Sequence, residues 1–123
     1  MIEHIVDKDI FQEVLQTGAK TKTEHFTLFR MNAPQDPANI KKHDHLMVGV
    51  VVPKRLAKRA VTRNAIKRQV YTVANKLAAA YPKEWHVIRL SKVFDKKTYI
   101  SPSSRQLKLD VCKELQKLYG LGE

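Results

Sequence analysis

Residues 54–68 hold the most informative chemistry of the chain, because they carry seven cations and no acid. Acidic residues are absent from the whole of residues 45–83. A surface of one sign repels itself, and binding a polyanion offsets that repulsion because counterions are released. Arginine and lysine bind phosphate oxygens, and Asn64 adds a side chain able to hydrogen-bond a phosphate or a sugar hydroxyl. The segment therefore predicts a nucleic-acid-binding surface, with the cations Lys54, Arg55, Lys58, Arg59, Arg63, Lys67 and Arg68.

Three other interpretations of this basic segment are less well supported. A plain solvated helix face normally mixes both signs of charge. A membrane-surface helix needs an exposed leucine or aromatic face, whereas the apolar residues here are expected in the core. A DNA-binding helix-turn-helix needs a short helix directly in front of the basic one, and none is predicted there.

Composition limits the remaining possibilities. The 123 residues carry a net charge of +11 and are 43% hydrophobic, which predicts a single globular domain over residues 1–123 with an acidic partner. Cys112 is the only cysteine, so an internal disulfide and a cysteine-based zinc site are excluded. The longest apolar run, residues 46–52, is too short to span a membrane, and the first residues do not read as a signal peptide. We expect a cytoplasmic protein without a membrane partner.

Catalytic and metal-binding patterns are weak. The carboxylates are scattered, and no phosphate loop, zinc motif or Ser-His-Asp pattern is present. His43, Asp44 and His45 are the one trio with metal-ligand chemistry, and it predicts weak binding at most. We expect no catalytic residue and no protein-held metal.

The positions of these residues depend on six predicted elements. Asp7 or Asp9 caps a first helix that ends at Gly18, and Pro53 ends a strand buried on both faces. The long basic helix starts near residue 58 or 60, and its apolar stripe leaves the cations facing outward beside it. Residues 33–44 and 92–102 are predicted loops. The order is α-β-β-α-β-α, with helices packed on a small sheet, over residues 7–18, 25–31, 46–52, 58–80, 85–90 and 103–120.

Aromatic residues suggest a second surface. Phe11, Phe26, Phe29 and Tyr71 could stack on unpaired bases, although each taken singly is more often a core residue. Phe26 and Phe29 have opposite strand parity and are expected on opposite faces of the sheet. The Phe29 side, which parity assigns to His25, Thr27 and Met31 as well, is half polar and favours an open groove.

Residues 62–68 read Thr-Arg-Asn-Ala-Ile-Lys-Arg, and this run resembles the signature helix of the bacterial ribonuclease P protein family, Arg-Asn-Arg-Ile-Lys-Arg. Ala65 replaces the middle arginine, and Tyr71 stands where the family has a later one. Residues 9–18, 25–29, 50–55 and 85–89 resemble further family segments in the same order.

This resemblance implies a fold, a function and a set of site residues. The fold is a two-layer α/β (α+β) sandwich, α-β-β-β-α-β-α, with a small mixed sheet and a left-handed βαβ crossover, of a type found in a ribosomal protein domain. The function is to assist a catalytic RNA that removes the 5′ leader of precursor tRNA, with Mg²⁺ held by that RNA. The implied leader cleft comprises Phe11, Leu15 and Phe29, with Asn64, Lys67 and Arg68 at its edge. The implied catalytic-RNA contacts are Lys54, Arg55, Lys58, Arg59, Arg63, Asn64, Lys67 and Arg68.

Two rival functions stay open at this point. A structural RNA-binding protein of ribosomal type would share the charge but would not need a base-stacking cleft. An autonomous nuclease would cleave RNA without a partner and would depend on residues such as Asp44 or His45.

Overall fold

A computed structural model describes residues 2–32, 46–81, 84–92 and 105–119. The chain forms a mixed sheet flanked by helices, with a short 3₁₀ turn, Ala78–Ala80, after the second helix. The elements are β1 (Ile2–His4), α1 (Lys8–Thr17), β2 (Ala19–Lys22), β3 (Phe26–Asn32), β4 (Leu46–Val51), α2 (Ala60–Leu77), β5 (Glu84–Leu90) and α3 (Arg105–Leu118).

The sheet has five strands in the order β1-β4-β5-β3-β2. β4 runs parallel to β1 and β5, whereas β3 runs antiparallel to β5 and β2. The parallel pair β4 and β5, joined through α2, is the βαβ unit that the resemblance implies. The α+β fold is thereby confirmed.

β1 and β2 are the two strands that pattern reasoning missed. β1 is three residues long, and β2 reads Ala-Lys-Thr-Lys with every residue exposed, so neither shows the apolar alternation of a half-buried strand. The resemblance did imply a third strand between the first two helices, and β2 is that strand. The predicted loop over residues 33–44, most of the one over 92–102, and the start of the last helix at residue 103 lie outside the described residues.

The main core fills the space between one sheet face and the pair α2 and α3. Ile66, Val70 and Val73 of the predicted α2 stripe are buried, and Leu77 is half-buried. The stripe of α3 is buried throughout, at Leu107, Val111, Leu115 and Leu118. These helices thus cover one face, which leaves the opposite face to the ten-residue helix α1.

A polar network is buried at the edge of this main core. His86 is 0% exposed, and its Nε2 lies 3.1 Å from Glu84 Oε1 while its Nδ1 lies 3.0 Å from the Tyr119 hydroxyl. Arg30 Nη2 donates to the same Glu84 oxygen at 3.1 Å, and its guanidinium lies over the Tyr81 ring at 4.6 Å. Burial lowers the pKa of His86, and this effect outweighs the opposing influence of Glu84.

We expect acid to weaken this fold through His86. Above its ordinary pKa of 6.5 the imidazole is neutral in both states. As the pH falls below that value, the unfolded chain takes up a proton that the buried imidazole resists, so the free energy of unfolding decreases until the pH passes the lowered native pKa. Urea unfolding followed by Trp85 fluorescence between about pH 5 and pH 8 measures this slope. His86→Gln should flatten the slope, and an unchanged slope in that variant would contradict the assignment.

Candidate nucleic-acid interface

The sheet face under α1 consists of three cross-strand rows. The strand register places Met31, Trp85 and Met47 in one row, which α1 covers. The middle row is Lys20, Phe29, Val87 and Gly49, and the outer row is Lys22, Thr27, Arg89 and Val51. We call the space between α1 and these rows the cleft.

Local sequence fixes α1 over this face at both of its ends. Asp7 accepts a hydrogen bond from the Asp9 N–H at 2.8 Å and so caps the helix, as expected. At the other end, a Cβ on Gly18 would lie 2.5 Å from the Val14 carbonyl oxygen and 3.2 Å from both the N and the O of Arg30, so glycine is needed where the helix end lies against β3. Thr17 Oγ1 lies 3.4 Å from Met31 Sδ beside it.

Phe11 makes the contact between the start of α1 and the sheet. Its ring lies on Gly49 of β4, and a Cβ at that position would overlap the ring atoms. Gly49 thus provides the flat place on the sheet that the aromatic ring occupies. The side chain of Phe11 remains half-buried, with one part on the sheet and one part open.

Gly49→Ala should therefore displace Phe11 without removing any polar group. We expect a loss of stability of about 1–3 kcal/mol, the usual effect of an added methyl group in a packed site. Urea unfolding measures the loss. Combining Gly49→Ala with Phe11→Ala removes the overlap, so the double variant should lose less than the sum of the two single losses. Strictly additive losses would show that the two positions do not interact.

The structure brings together the three side chains that were predicted to line a cleft. Phe11 and Leu15 are half-buried on α1, and Phe29 lies below them on the floor. Phe29 is only 6% exposed, and Lys20 Nζ lies 5.7 Å from the centre of its ring, so little of this ring is available for stacking. Met47 and Val51 also face the cleft half-buried, and sequence reasoning missed them because residues 46–52 look apolar on both sides.

Strand parity correctly separates Phe26 from Phe29 but fails for His25. Phe26 lies on the opposite face and is 0% exposed beneath α2 and α3, so it is a core residue. His25 does not share the Phe29 face, because it precedes β3 in a turn where strand alternation does not hold. Its Nδ1 lies 2.7 Å from Glu114 Oε1 on α3 instead.

Tyr71 is occupied by a contact within the protein. Its ring stacks on His4 of β1 with centroids 3.7 Å apart and planes 7° from parallel. Burial also raises the pKa of the Tyr71 phenol. Tyr71, which stands where the resemblance implies an arginine, thus holds β1 against α2. The implied element order has no strand at the position of β1.

The basic segment directly follows the cleft, because β4 ends at Val51 and the first cation is Lys54. The segment begins with a turn, in which the N–H groups of Leu56 and Ala57 donate hydrogen bonds to the Pro53 carbonyl at 3.0 and 3.1 Å. Arg63 Nη1 donates to the carbonyls of Ala57 and Lys58 at 2.9 and 3.0 Å and so fastens the turn to α2. Arg63 and Lys67 are half-buried, and the exposed members are Lys54, Arg55, Lys58, Arg59, Asn64 and Arg68.

The electrostatics of this segment favour an anion. Helix α2 begins after Arg59 without a side-chain cap and without an acid in its first turn, so the positive end of its dipole adds to the cations. Within the part of the chain that the structure describes, none of the seven cations forms an ion pair with a carboxylate. Their charge is therefore available to a partner.

The described residues contain no candidate metal site. No three His, Cys, Asp or Glu side chains in residues 2–32, 46–81, 84–92 and 105–119 lie close enough together to hold a metal ion. His43, Asp44 and His45 lie outside the described residues. Within the same ranges, no helix combines the length and the apolar character needed to cross a membrane.

Comparison with known proteins identifies ribonuclease P protein components among the relatives of this chain. Residues 2–118 match the sequence model of the Ribonuclease P family. The ribonuclease P protein component of Geobacillus kaustophilus is 38% identical over 60 residues, which cover 49% of this chain and 43% of that protein. The component of Trichormus variabilis is 27% identical over 95 residues, which cover 67% of this chain and 68% of that protein. The match thus spans less than half the length of the first relative.

Solved structures show the same fold. The Staphylococcus aureus ribonuclease P protein superposes with a TM-score of 0.70 at 18% identity, covering 98% of this chain and 97% of that one. The Thermotoga maritima ribonuclease P protein gives a TM-score of 0.68 at 17% identity and covers 94% of both chains. Since the family match extends over nearly the whole chain and the fold agrees, this chain belongs to the bacterial ribonuclease P protein family.

Proposed function

We propose that this chain is the protein subunit of a ribonuclease P ribonucleoprotein and assists a catalytic RNA in removing the 5′ leader from precursor tRNA. The observation that supports this most is the junction of two surfaces. A half-open apolar cleft ends at Val51, and a segment of cations begins at Lys54 that form no ion pair with any carboxylate of the described residues. One chain can therefore hold an unpaired RNA strand and a folded RNA at the same time.

The basic segment is the proposed contact to the catalytic RNA. Lys54, Arg55, Lys58 and Arg59 are exposed around the start of α2, where phosphate contacts position an RNA without reading its sequence. Arg63 supports the same contact indirectly, because its guanidinium holds the turn on α2. Screening of phosphate repulsion by these cations would let two RNAs approach each other at low Mg²⁺.

The cleft is the proposed contact to the leader. Phe11, Leu15 and Val51 offer half-buried apolar surface on which an unpaired base can stack or pack. Phe29 and Val87 form the buried floor beneath them. Asn64, Lys67 and Arg68 are the proposed edge contacts to leader phosphates, on the resemblance alone.

We assign the hydrolytic chemistry to the RNA partner, and with it the Mg²⁺ that activates water there. The described residues offer no cluster of metal ligands for that role. The part of this chain is to bind, to orient and to screen charge.

Reconstitution tests this function. Purified protein is mixed with a bacterial ribonuclease P RNA and precursor tRNA at low Mg²⁺, beside protein alone and RNA alone. We expect the mixture to remove the leader much faster than RNA alone and the protein alone to do nothing. Cleavage by the protein alone would favour the nuclease alternative. Tight RNA binding without any gain in leader removal would favour the ribosomal type of RNA-binding protein.

A further inference from the structure

Arg89 is the one exposed residue among Glu84–Leu90, the strand at the centre of the sheet. A central strand is normally covered on both faces, and its other residues here are buried or half-buried. Arg89 alternates with Trp85 and Val87, so it lies on the cleft face, and unlike them it is exposed and stands outside the small core packed under α1. The cleft therefore opens toward an arginine.

Two lysines extend this positive charge across the sheet. Lys22 and Arg89 flank Thr27 in the outer row, which places their Cα atoms about 10 Å apart, two strand spacings. Lys20 lies in the middle row with its ammonium group over Phe29. No acidic residue belongs to the outer row. The hydroxyl group of Thr27 is hydrogen-bonded to the hydroxyl group of Ser91, with the two oxygens 2.8 Å apart.

Protection of a sheet edge accounts for only part of this arrangement. Lysines on β2, an edge strand, keep it from pairing with another chain. That role does not apply to Arg89, which lies two strands away from the edge. The acid at the nearby turn, Glu24, lies 3.7 Å from Lys92 and is partly compensated there.

We propose that Lys20, Lys22 and Arg89 form a second phosphate-binding surface, here called the β row, which holds the backbone of single-stranded RNA as it leaves the cleft. The ligand follows from the chemistry: a row of cations beside an apolar cleft fits phosphates that alternate with bases. The β row is separate from the basic segment, which belongs to residues 54–68. The proposal rests on the proposed function, since the leader is the strand that would follow this path.

The double variant Lys22→Ala/Arg89→Ala tests the β row in the reconstituted holoenzyme. Binding of precursor tRNA with and without a leader is measured over a salt series. Each phosphate contact to a single strand contributes about 0.7 to the salt slope, so the leader-dependent slope should fall by about 1.4, and leader-dependent affinity by about 25-fold near 0.1 M salt. The matched control is Lys113→Ala/Lys117→Ala, which removes two charges from exposed positions on α3.

Each outcome decides the proposal. Loss of leader-dependent affinity in the β-row variant alone supports it. Equal losses in both variants, or no loss in either, would overturn it.

The wild-type holoenzyme shows whether a negative result counts against the β row or against the proposed function. If the wild-type holoenzyme shows no preference for a leader, the proposed function fails at that step. The same variants are then tested against a free single-stranded oligonucleotide. A smaller salt slope in the β-row variant alone would keep the surface as a general single-strand site, and an unchanged slope would remove it.

Discussion

Replacing Lys54, Arg55, Lys58 and Arg59 together by alanine should weaken binding to ribonuclease P RNA by about a thousand-fold near 0.1 M salt. The four side chains are exposed and unpaired within the described structure, so each is free to contact a phosphate. Loss of about four contacts should also lower the salt slope by roughly 3 to 4. Filter binding over a salt series measures both quantities.

A second variant controls for net charge. Lys8, Lys76, Lys113 and Lys117 are exposed helical lysines outside the basic segment and outside the β row. Alanine at these four positions removes the same formal charge, and we expect a much smaller loss of affinity. If both quadruple variants lose equally, the protein attracts RNA by its overall field and the basic segment has no special part.

Arg63 is left out of the first variant for a structural reason. Its guanidinium donates to the Ala57 and Lys58 carbonyls, so its removal would release the turn that presents the other cations. A loss on Arg63→Ala would mix an RNA contact with a change of loop structure. The quadruple variant keeps that support in place.

Phe29→Ala should lower the free energy of unfolding by about 3–5 kcal/mol, the usual range for a buried phenylalanine. Phe29 is 6% exposed and packs in the small core with Val14, Trp85 and Val87. This core has few members, so the cavity has little chance to be filled by rearrangement. Urea unfolding with circular dichroism measures the loss, and a change below about 1 kcal/mol would show that the ring is not a core element.

Phe11→Ala is the matched test of leader stacking. Phe11 is half-buried on α1, so its removal should cost less stability than that of Phe29 while exposing the same cleft. A base that stacks on an aromatic ring contributes about 1–3 kcal/mol, which is roughly 5- to 150-fold in affinity. We expect this loss for leader-bearing precursor tRNA and not for mature tRNA. Equal losses for both RNAs would assign Phe11 to packing alone.

Local sequence was sufficient for the helices and for the long strands. Helix α1 begins after Asp7 and ends at Gly18, as predicted. The spacing of Ile66, Val70 and Val73 correctly predicted which side of α2 is buried. These features are readable because capping and helical periodicity depend on residues only a few positions apart. The same holds for the opposite faces of Phe26 and Phe29, which strand parity alone predicts.

Strands and side-chain contacts whose partners are far away in the sequence could not be predicted from the sequence alone. β1 and β2 have almost no pattern of their own and exist because β4 and β3 provide hydrogen-bonding edges for them. His25 turned toward Glu114, which follows 89 positions later, and Tyr71 is covered by His4 of the additional strand. The network of Arg30, Glu84, His86 and Tyr119 likewise joins β3, β5 and the end of α3.

The chain by itself determined that the protein is basic, where its acid-free segment lies and which family helix that segment resembles, because charge and short motifs are properties of adjacent residues. Only the tertiary structure decided which cations are free and which one, Arg63, supports the loop. It also decided that Phe29 forms the floor and Phe11 the wall of the cleft, and that Arg89 lies on the same sheet face as Lys20 and Lys22. Strand order and helix placement set these distances, and both depend on contacts between residues far apart in the sequence.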